Sequence, residues 1–173
     1  MTQTQTRPTT SPAASQLANA LADRLEAGAG ALITFAQGLT DAQWKTRTPH
    51  DGRTVGVIVH HVGSVYPIEI QLAQTMASGQ AVTGVTWDDI HAMNARHAAE
   101  FADVTREAAI DLVRTNSTAA AAALRAFTDE QLAQAVTVSL YGDALLTAQF
   151  MLEDHAVRHS YHHLARLRRA VQP

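Results

Sequence analysis

Apolar residues recur every three to four positions along most of this chain, which is the spacing of amphipathic helices. Alanine supplies about a fifth of the residues, and alternating runs of β-branched residues are scarce, so helix is favoured throughout. The first apolar stripe predicts a helix from about Ser15 to Gln37, ended by Gly38, and its members are Leu17, Leu21, Leu25, Ala29, Leu32 and Ala36.

Three more long helices are predicted, over about 54–78, 105–126 and 143–171. Pro67 lies inside the second of the four long helices and is predicted to kink it or divide it in two. Residues 137–142 have some strand character, but no sheet large enough to form a layer is expected.

Short helices are predicted in the connections. Thr40 and Thr128 are each followed three residues later by a glutamine, and Thr86 precedes two acidic residues in a first turn. The pattern as a whole predicts an all-α fold, a four-helix bundle with short additional helices in its connections. We assign one domain to residues 15–173, after a flexible tail over residues 1–14 that is rich in Thr, Gln and Pro.

Composition and charge exclude several classes of function. The net charge of −3 argues against a protein whose main partner is nucleic acid. The chain has no cysteine, which excludes disulfides, thiolate metal sites and a catalytic thiol of its own. No apolar run approaches the ~18 residues of a membrane span. The default expectation is therefore a cytoplasmic protein without a membrane partner.

Nine histidines stand beside only thirteen lysines and arginines. His155, His159 and His163 are spaced by four residues each, so a helix would stack them on one face, which is partly apolar. Two imidazoles at this spacing can chelate one metal ion, and a third ligand would come from elsewhere. His61 shares an apolar face of the second helix, whereas His60 lies on a more polar one. The pattern alone leaves a metal site and a set of hydrogen-bonded core histidines about equally supported.

Two segments resemble the DinB-like (DinB/YfiT) superfamily of metal-dependent enzymes. They are TVGVIVHHVGSV over residues 54–65 and EDHAVRHSYHHLARL over residues 153–167, and the region that starts at DIHAMNAR, residues 89–96, is also similar. The resemblance implies a four-helix bundle that binds a divalent metal ion, most often nickel or zinc. The implied metal ligands are His61, His159 and His163.

The same resemblance implies chemistry on a small-molecule substrate. Characterised members include transferases and isomerases that use a low-molecular-weight thiol such as glutathione, mycothiol or bacillithiol as cosubstrate. Two positions depart from the superfamily's pattern without removing a ligand: Arg166 stands where relatives often have Gln, and Pro67 follows the first ligand closely. Bundles of this kind often pair through helix faces, so a homodimer is one expectation, which no sequence feature fixes.

Three functions stay open on the sequence. The chain is an enzyme, namely a metal-dependent S-transferase, isomerase or hydrolase; or a non-catalytic metal-binding or small-molecule-binding stress-response bundle; or a bundle whose histidines only pack. His155 is expected in the pocket wall or beside a ligand, and Glu153 on the surface, although it could orient an imidazole. A substrate carboxylate could be bound by Arg158, Arg166, Arg168 or Arg169, but a cationic helix C-terminus explains the last three without any function.

Overall fold

The computed structural model describes residues 15–172, and most of them are helical. The predicted tail over residues 1–14 lies outside the described residues. The helices before the single hairpin are α1 (Gln16–Gln37), α2 (Asp41–Trp44), α3 (Val55–Ala77), α4 (Trp87–Glu100), α5 (Arg106–Arg125) and α6 (Asp129–Ala133). The hairpin pairs β1 (Ala135–Val138) antiparallel with β2 (Ala144–Thr147). The terminal helix runs without a break through α7 (Ala148–Met151), a π-helical segment (Leu152–Val157) and α8 (Arg158–Ala170).

The four long helices α1, α3, α5 and the terminal helix form a bundle, which confirms the predicted fold class. Helix α5 packs against both α1 and α3, and the terminal helix closes the bundle against α1 and α3. The core between them consists mainly of leucine, valine and alanine side chains that are almost fully buried, among them Leu21, Leu25, Leu32, Val59, Leu124, Leu152 and Leu167. Within residues 15–172, none of the helices combines the length and hydropathy needed for a membrane span.

The helix starts are where the threonines predict them. Thr40, Thr86 and Thr128 each begin a helix with a reciprocal cap, in which the threonine oxygen accepts a backbone N–H three residues on and that residue's side chain bonds back. Thr54 caps α3 with one such bond, from the N–H of Val57. These caps satisfy N–H groups that a helix start leaves without partners.

Pro67 does not divide α3, contrary to one of the two outcomes predicted for it. Proline has no N–H, so the carbonyl of Gly63, four residues earlier, lacks its usual helical donor. The side chain of Asn116 on α5 supplies that donor, with Nδ2 2.9 Å from the Gly63 oxygen. A neighbouring helix thus replaces the hydrogen bond that the proline removes.

Two further sequence expectations are wrong. The terminal helix begins at Ala148 rather than near Asp143, because residues 144–147 pair with β1 to form the hairpin. Leu17 is 38% exposed, and its neighbour Ala18 takes the buried position at the start of the α1 stripe.

Candidate metal centre

Three imidazoles from two helices meet at one point. His61 comes from the second turn of α3, and His159 and His163 come from successive turns of α8. Each ring offers one nitrogen that lies within 4.8 Å of the other two. The ring centres are 5.2 Å apart for His61 and His159, 5.6 Å for His61 and His163, and 4.8 Å for His159 and His163. The structure therefore brings together the three histidines that the resemblance implies.

The nitrogens of these rings have lone pairs that the protein leaves unused. His159 bonds Glu69 through Nδ1 at 2.7 Å, and its Nε2 is buried with no partner among the described residues. In the same part of the chain, His61 and His163 make no hydrogen bond through either ring nitrogen. A buried polar atom without a partner is uncommon, and a bound cation would supply one. The donor set fits a divalent ion of the zinc or nickel type, which favours imidazole nitrogen.

Burial keeps two of the rings neutral. Burial, and then the neighbouring His159 and Arg53, lower the pKa of His61 to about 2. Burial, followed by His159 and His61, lowers the pKa of His163 well below its ordinary value. A neutral imidazole keeps the lone pair that coordinates a metal, so protons compete little for these two rings near neutral pH.

The spacing of the nitrogens is compatible with one shared ion after a small adjustment. Two nitrogens bound tetrahedrally at ~2.1 Å lie ~3.4 Å apart. The observed upper limit of 4.8 Å exceeds this by an amount that rotation of the rings about their side-chain torsions can remove.

A cavity of about 640 Å³ opens beside the three histidines and includes all of them in its wall. This volume lies within the range of small-molecule sites. Its remaining wall comes from the 50–53 loop, from α4, from Tyr141 of the hairpin connection and from the terminal helix. The cavity is lined by three arginines, Arg53, Arg158 and Arg166, and by two aspartates, Asp51 and Asp154.

Helix α4 forms one wall of the cavity and has no buried residue of its own. Trp87, at its start, is 51% exposed and donates from Nε1 to the carbonyl of Leu140 at 3.1 Å. Near its end, His97 lies 2.8 Å from His60, nitrogen to nitrogen, and the His60 ring stacks on Phe101. The sequence offered no role for His97, which here ties α4 to α3 next to His61.

His155 leaves the histidine ladder that the sequence predicts. It lies in the π-helical segment, whose wider turn breaks the four-residue alignment with His159. Its Nε2 is 2.8 Å from the hydroxyl of Tyr141, which also donates to Asp154 at 3.0 Å. Within residues 15–172 it is not part of the group of three histidines that could hold a metal ion. It belongs to the cavity wall, as His162 also does.

Glu69 is the site residue that sequence reasoning missed. The available signal was a single acidic residue between Ile68 and Ile70 in an otherwise apolar stretch of α3. Glu153 is on the surface, as expected, 3.5 Å from Arg24, and does not orient an imidazole.

The sequence of this chain matches a known protein family. Residues 25–163 match the model of the mycothiol maleylpyruvate isomerase N-terminal domain. The chain belongs to this family. This membership, with the fold, confirms the resemblance to the DinB-like superfamily. No curated protein matches the chain closely enough to count as a relative.

Several solved structures share the fold of this chain, although their sequences are less than 20% identical to it. YfiT from Bacillus subtilis, described as "a probable metal-dependent hydrolase with an unusual four-helix bundle topology", is 18% identical, with a TM-score of 0.72 over 96% of this chain and 91% of YfiT. The mycothiol-dependent maleylpyruvate isomerase is 12% identical, with a TM-score of 0.66 over 87% of this chain. The chain spans only 60% of that isomerase.

A third structure concerns the expectation about nucleic acid. The colibactin self-resistance protein ClbS, solved in complex with a double-stranded DNA, is 14% identical, with a TM-score of 0.65 over 88% of this chain and 94% of ClbS. The absence of a nucleic-acid partner, inferred from the net charge of our family member, therefore stays a prediction.

Proposed function

We propose that the protein is a divalent-metal-dependent enzyme that uses a low-molecular-weight thiol in transferase or isomerase chemistry on a small molecule. One observation carries the proposal: three imidazole nitrogens converge in the wall of a cavity of about 640 Å³. A site that only stabilised the bundle would gain nothing from a cavity beside it. The proposed ligands are His61, His159 and His163, and nickel or zinc is the proposed ion.

Three neutral imidazoles leave the ion's charge uncancelled, and the chemistry that it supplies when bound is to lower the pKa of a thiol or a water in an open coordination position. The chain's own residues hold the three rings in place and shape the space beside them. Because the chain has no cysteine, the sulfur in thiol chemistry would come from a cosubstrate. The similarity to a mycothiol-dependent isomerase supports this choice.

The charged residues of the cavity favour an anionic molecule. Asp51 pairs with Arg53 at 2.6 Å and Asp154 pairs with Arg158, which leaves Arg166 as the cavity arginine with no ion pair among residues 15–172. Arg166 lies one turn beyond His163 on α8, so a carboxylate bound there would sit a few ångströms from the metal centre. We therefore include a carboxylate in the proposed substrate or thiol.

Hydrolysis is a second candidate, supported by the likeness to YfiT over 96% of the chain. The same three ligands would serve it, with water in place of the thiol. A requirement for thiol separates the two. Turnover in the presence of metal alone would favour hydrolysis, and turnover only with added thiol would favour transfer or isomerisation.

The metal site is tested by metal content and melting temperature. Purified protein should hold about one equivalent of divalent metal, and a chelator should lower the melting temperature by about 5–15 °C, because ligands from two helices link occupancy to folding. His159→Ala should lose the metal, and His162→Ala, its neighbour on α8 outside the ligand set, should keep it. Metal content that is equal in the two variants would exclude the proposed ligands.

Catalysis is tested with the metal-loaded protein. Glutathione, mycothiol and bacillithiol are each offered with the thiol-reactive fluorogenic electrophile monochlorobimane, and with ester substrates in the absence of thiol. We expect thiol-dependent turnover that His61→Ala abolishes. A metal-loaded protein that turns over none of these would favour the non-catalytic binding bundle.

A further inference from the structure

Glu69 presents a carboxyl group in the interior of the bundle. The residue is 6% exposed, on a turn of α3 between two isoleucines. One oxygen, Oε1, accepts from Nδ1 of His159 at 2.7 Å, across the interface between α3 and α8. The other oxygen, Oε2, is buried and has no partner among the described residues. No arginine or lysine forms an ion pair with it in that part of the chain.

We propose that Glu69 is the positioning residue of the metal centre, which sets both the tautomer and the direction of the His159 ring. This inference rests on the proposed metal site. A neutral imidazole carries its proton on one nitrogen or the other, and the carboxylate selects the form with the proton on Nδ1. Nε2 then carries the lone pair. A carboxylate behind a ligating imidazole also makes it a stronger donor.

The unpartnered atoms separate this pair from an ordinary structural contact. One turn away along α3, the hydroxyls of Tyr66 and Ser160 also link α3 to α8, and each hydroxyl has a partner. In the Glu69–His159 pair, by contrast, Oε2 at one end and Nε2 at the other are both buried without partners. A cation bound at Nε2 would satisfy that nitrogen and offset the negative charge behind it. A cation would thus give the buried Nε2 of His159 the partner that it lacks among the described residues.

Glu69→Gln and Glu69→Ala divide the effect into its two parts. The amide oxygen of Gln can still accept from His159 Nδ1, so this variant keeps the hydrogen bond and removes the charge. Ala removes both. Affinity for Zn²⁺, measured by competition with a chromogenic chelator on the full-length protein, should fall about 10–100-fold in the Ala variant and by a smaller factor in the Gln variant.

Two control variants exclude general damage. Glu153→Gln alters a half-buried carboxylate of the terminal helix, which pairs with Arg24 outside the cavity wall, and should leave the Zn²⁺ affinity unchanged. Ser160→Ala removes the structural bond to Tyr66 and should lower the melting temperature without lowering the affinity. An affinity loss in Ser160→Ala equal to that in Glu69→Ala would overturn the positioning role.

The tautomer is read without metal, from ¹⁵N chemical shifts of the His159 ring recorded at alkaline pH, where an imidazole is neutral and carries one proton. The wild type should show a deprotonated Nε2 and a protonated Nδ1, and Glu69→Ala should show a mixture of both forms. If the wild type binds Zn²⁺ and Glu69→Ala binds it equally well, the role of Glu69 is wrong while the metal site stands. If the wild type binds no Zn²⁺, the metal site is wrong, and this inference with it.

Discussion

Gly63 and His61 lie two residues apart on α3 and face opposite kinds of surroundings. At Gly63 the helix presses directly on α5, so that a Cβ on this residue would lie 2.9 Å from the backbone nitrogen of Val113. At His61 the helix faces imidazoles and a cavity. The first side contains close backbone contacts and satisfied hydrogen bonds; the second contains buried polar atoms without partners.

The difference shows how the bundle supports a polar site. Helix α5 buries seven residues against its neighbours, whereas α4, on the cavity side, buries none. The packed side of α3, which we call the seam, is its apolar contact with α5, and it stabilises the bundle. Because this contact fixes α3 in place, His61 can stay buried although burying its polar ring costs free energy. The cavity side is then open for chemistry.

The cavity side should make the metal-free protein sensitive to acid. Burial and neighbouring charges lower the pKa of His61 to about 2, while the unfolded chain titrates near 6.5. Between these values the unfolded state binds a proton that the folded state does not, so the free energy of unfolding rises with pH up to about 6.5 and is lost as the pH falls below it. His163, whose pKa is also lowered, acts in the same direction.

With two such histidines, the metal-free protein should lose about 3 kcal/mol of unfolding free energy between pH 6.5 and pH 5. Urea unfolding of chelator-treated protein at a series of pH values measures this. His61→Asn removes one of the two groups and should make the dependence shallower by about 1.4 kcal/mol per pH unit. An unchanged slope in that variant would mean that His61 is not held neutral by the fold.

At the seam, the free energy of unfolding should be sensitive to added side-chain volume. Gly63→Val would place a branched side chain against backbone atoms of α5, which cannot move aside as a flexible side chain could. We expect it to lower the free energy of unfolding by about 2–3 kcal/mol. Denaturant unfolding at neutral pH checks the value.

Gly30 on α1 provides the matched control, because an added Cβ there meets nothing within 4 Å. Gly30→Ala should stabilise the protein by about 0.5–1 kcal/mol, through the higher helix propensity of alanine. If Gly63→Val lowers the free energy of unfolding no more than a substitution at an exposed position does, the close contact between α3 and α5 does not stabilise the bundle.

The sequence predicts the seam better than the cavity, for a physical reason. Caps and apolar stripes depend on residues near each other in the chain, so Thr40, Thr86 and Thr128 predict the helix starts correctly. The effect of Pro67 depends on Asn116, 49 positions later, which no local pattern reveals. The start of the terminal helix near Asp143 was wrong for a similar reason, since pairing with β1 outweighs the local helical pattern.

The site divides in the same way. The four-residue spacing predicts that His159 and His163 share a face, and they do. The same spacing misplaces His155, because a π-helical segment intervenes. Glu69 and His97 could not be assigned, since their importance comes from partners on other helices, at His159 and His60. A single sequence indicates which side chains face inward and leaves their cross-helix partners open.

The smallest predicted effect concerns the charge of the cavity. If the polar side of α3 faces a site for anions, Arg166→Ala should weaken binding of succinate, a small dicarboxylate probe, to the metal-loaded protein by about tenfold, because a charged hydrogen bond is worth about 1.5 kcal/mol. Arg169→Ala, at an exposed position on the same helix outside the cavity, should change it by less than twofold. Calorimetric titration of both variants measures this, with raised salt weakening the wild type's binding. Equal losses in the two variants would indicate general attraction to a cationic helix end, and the cavity would then have no specific site for a carboxylate.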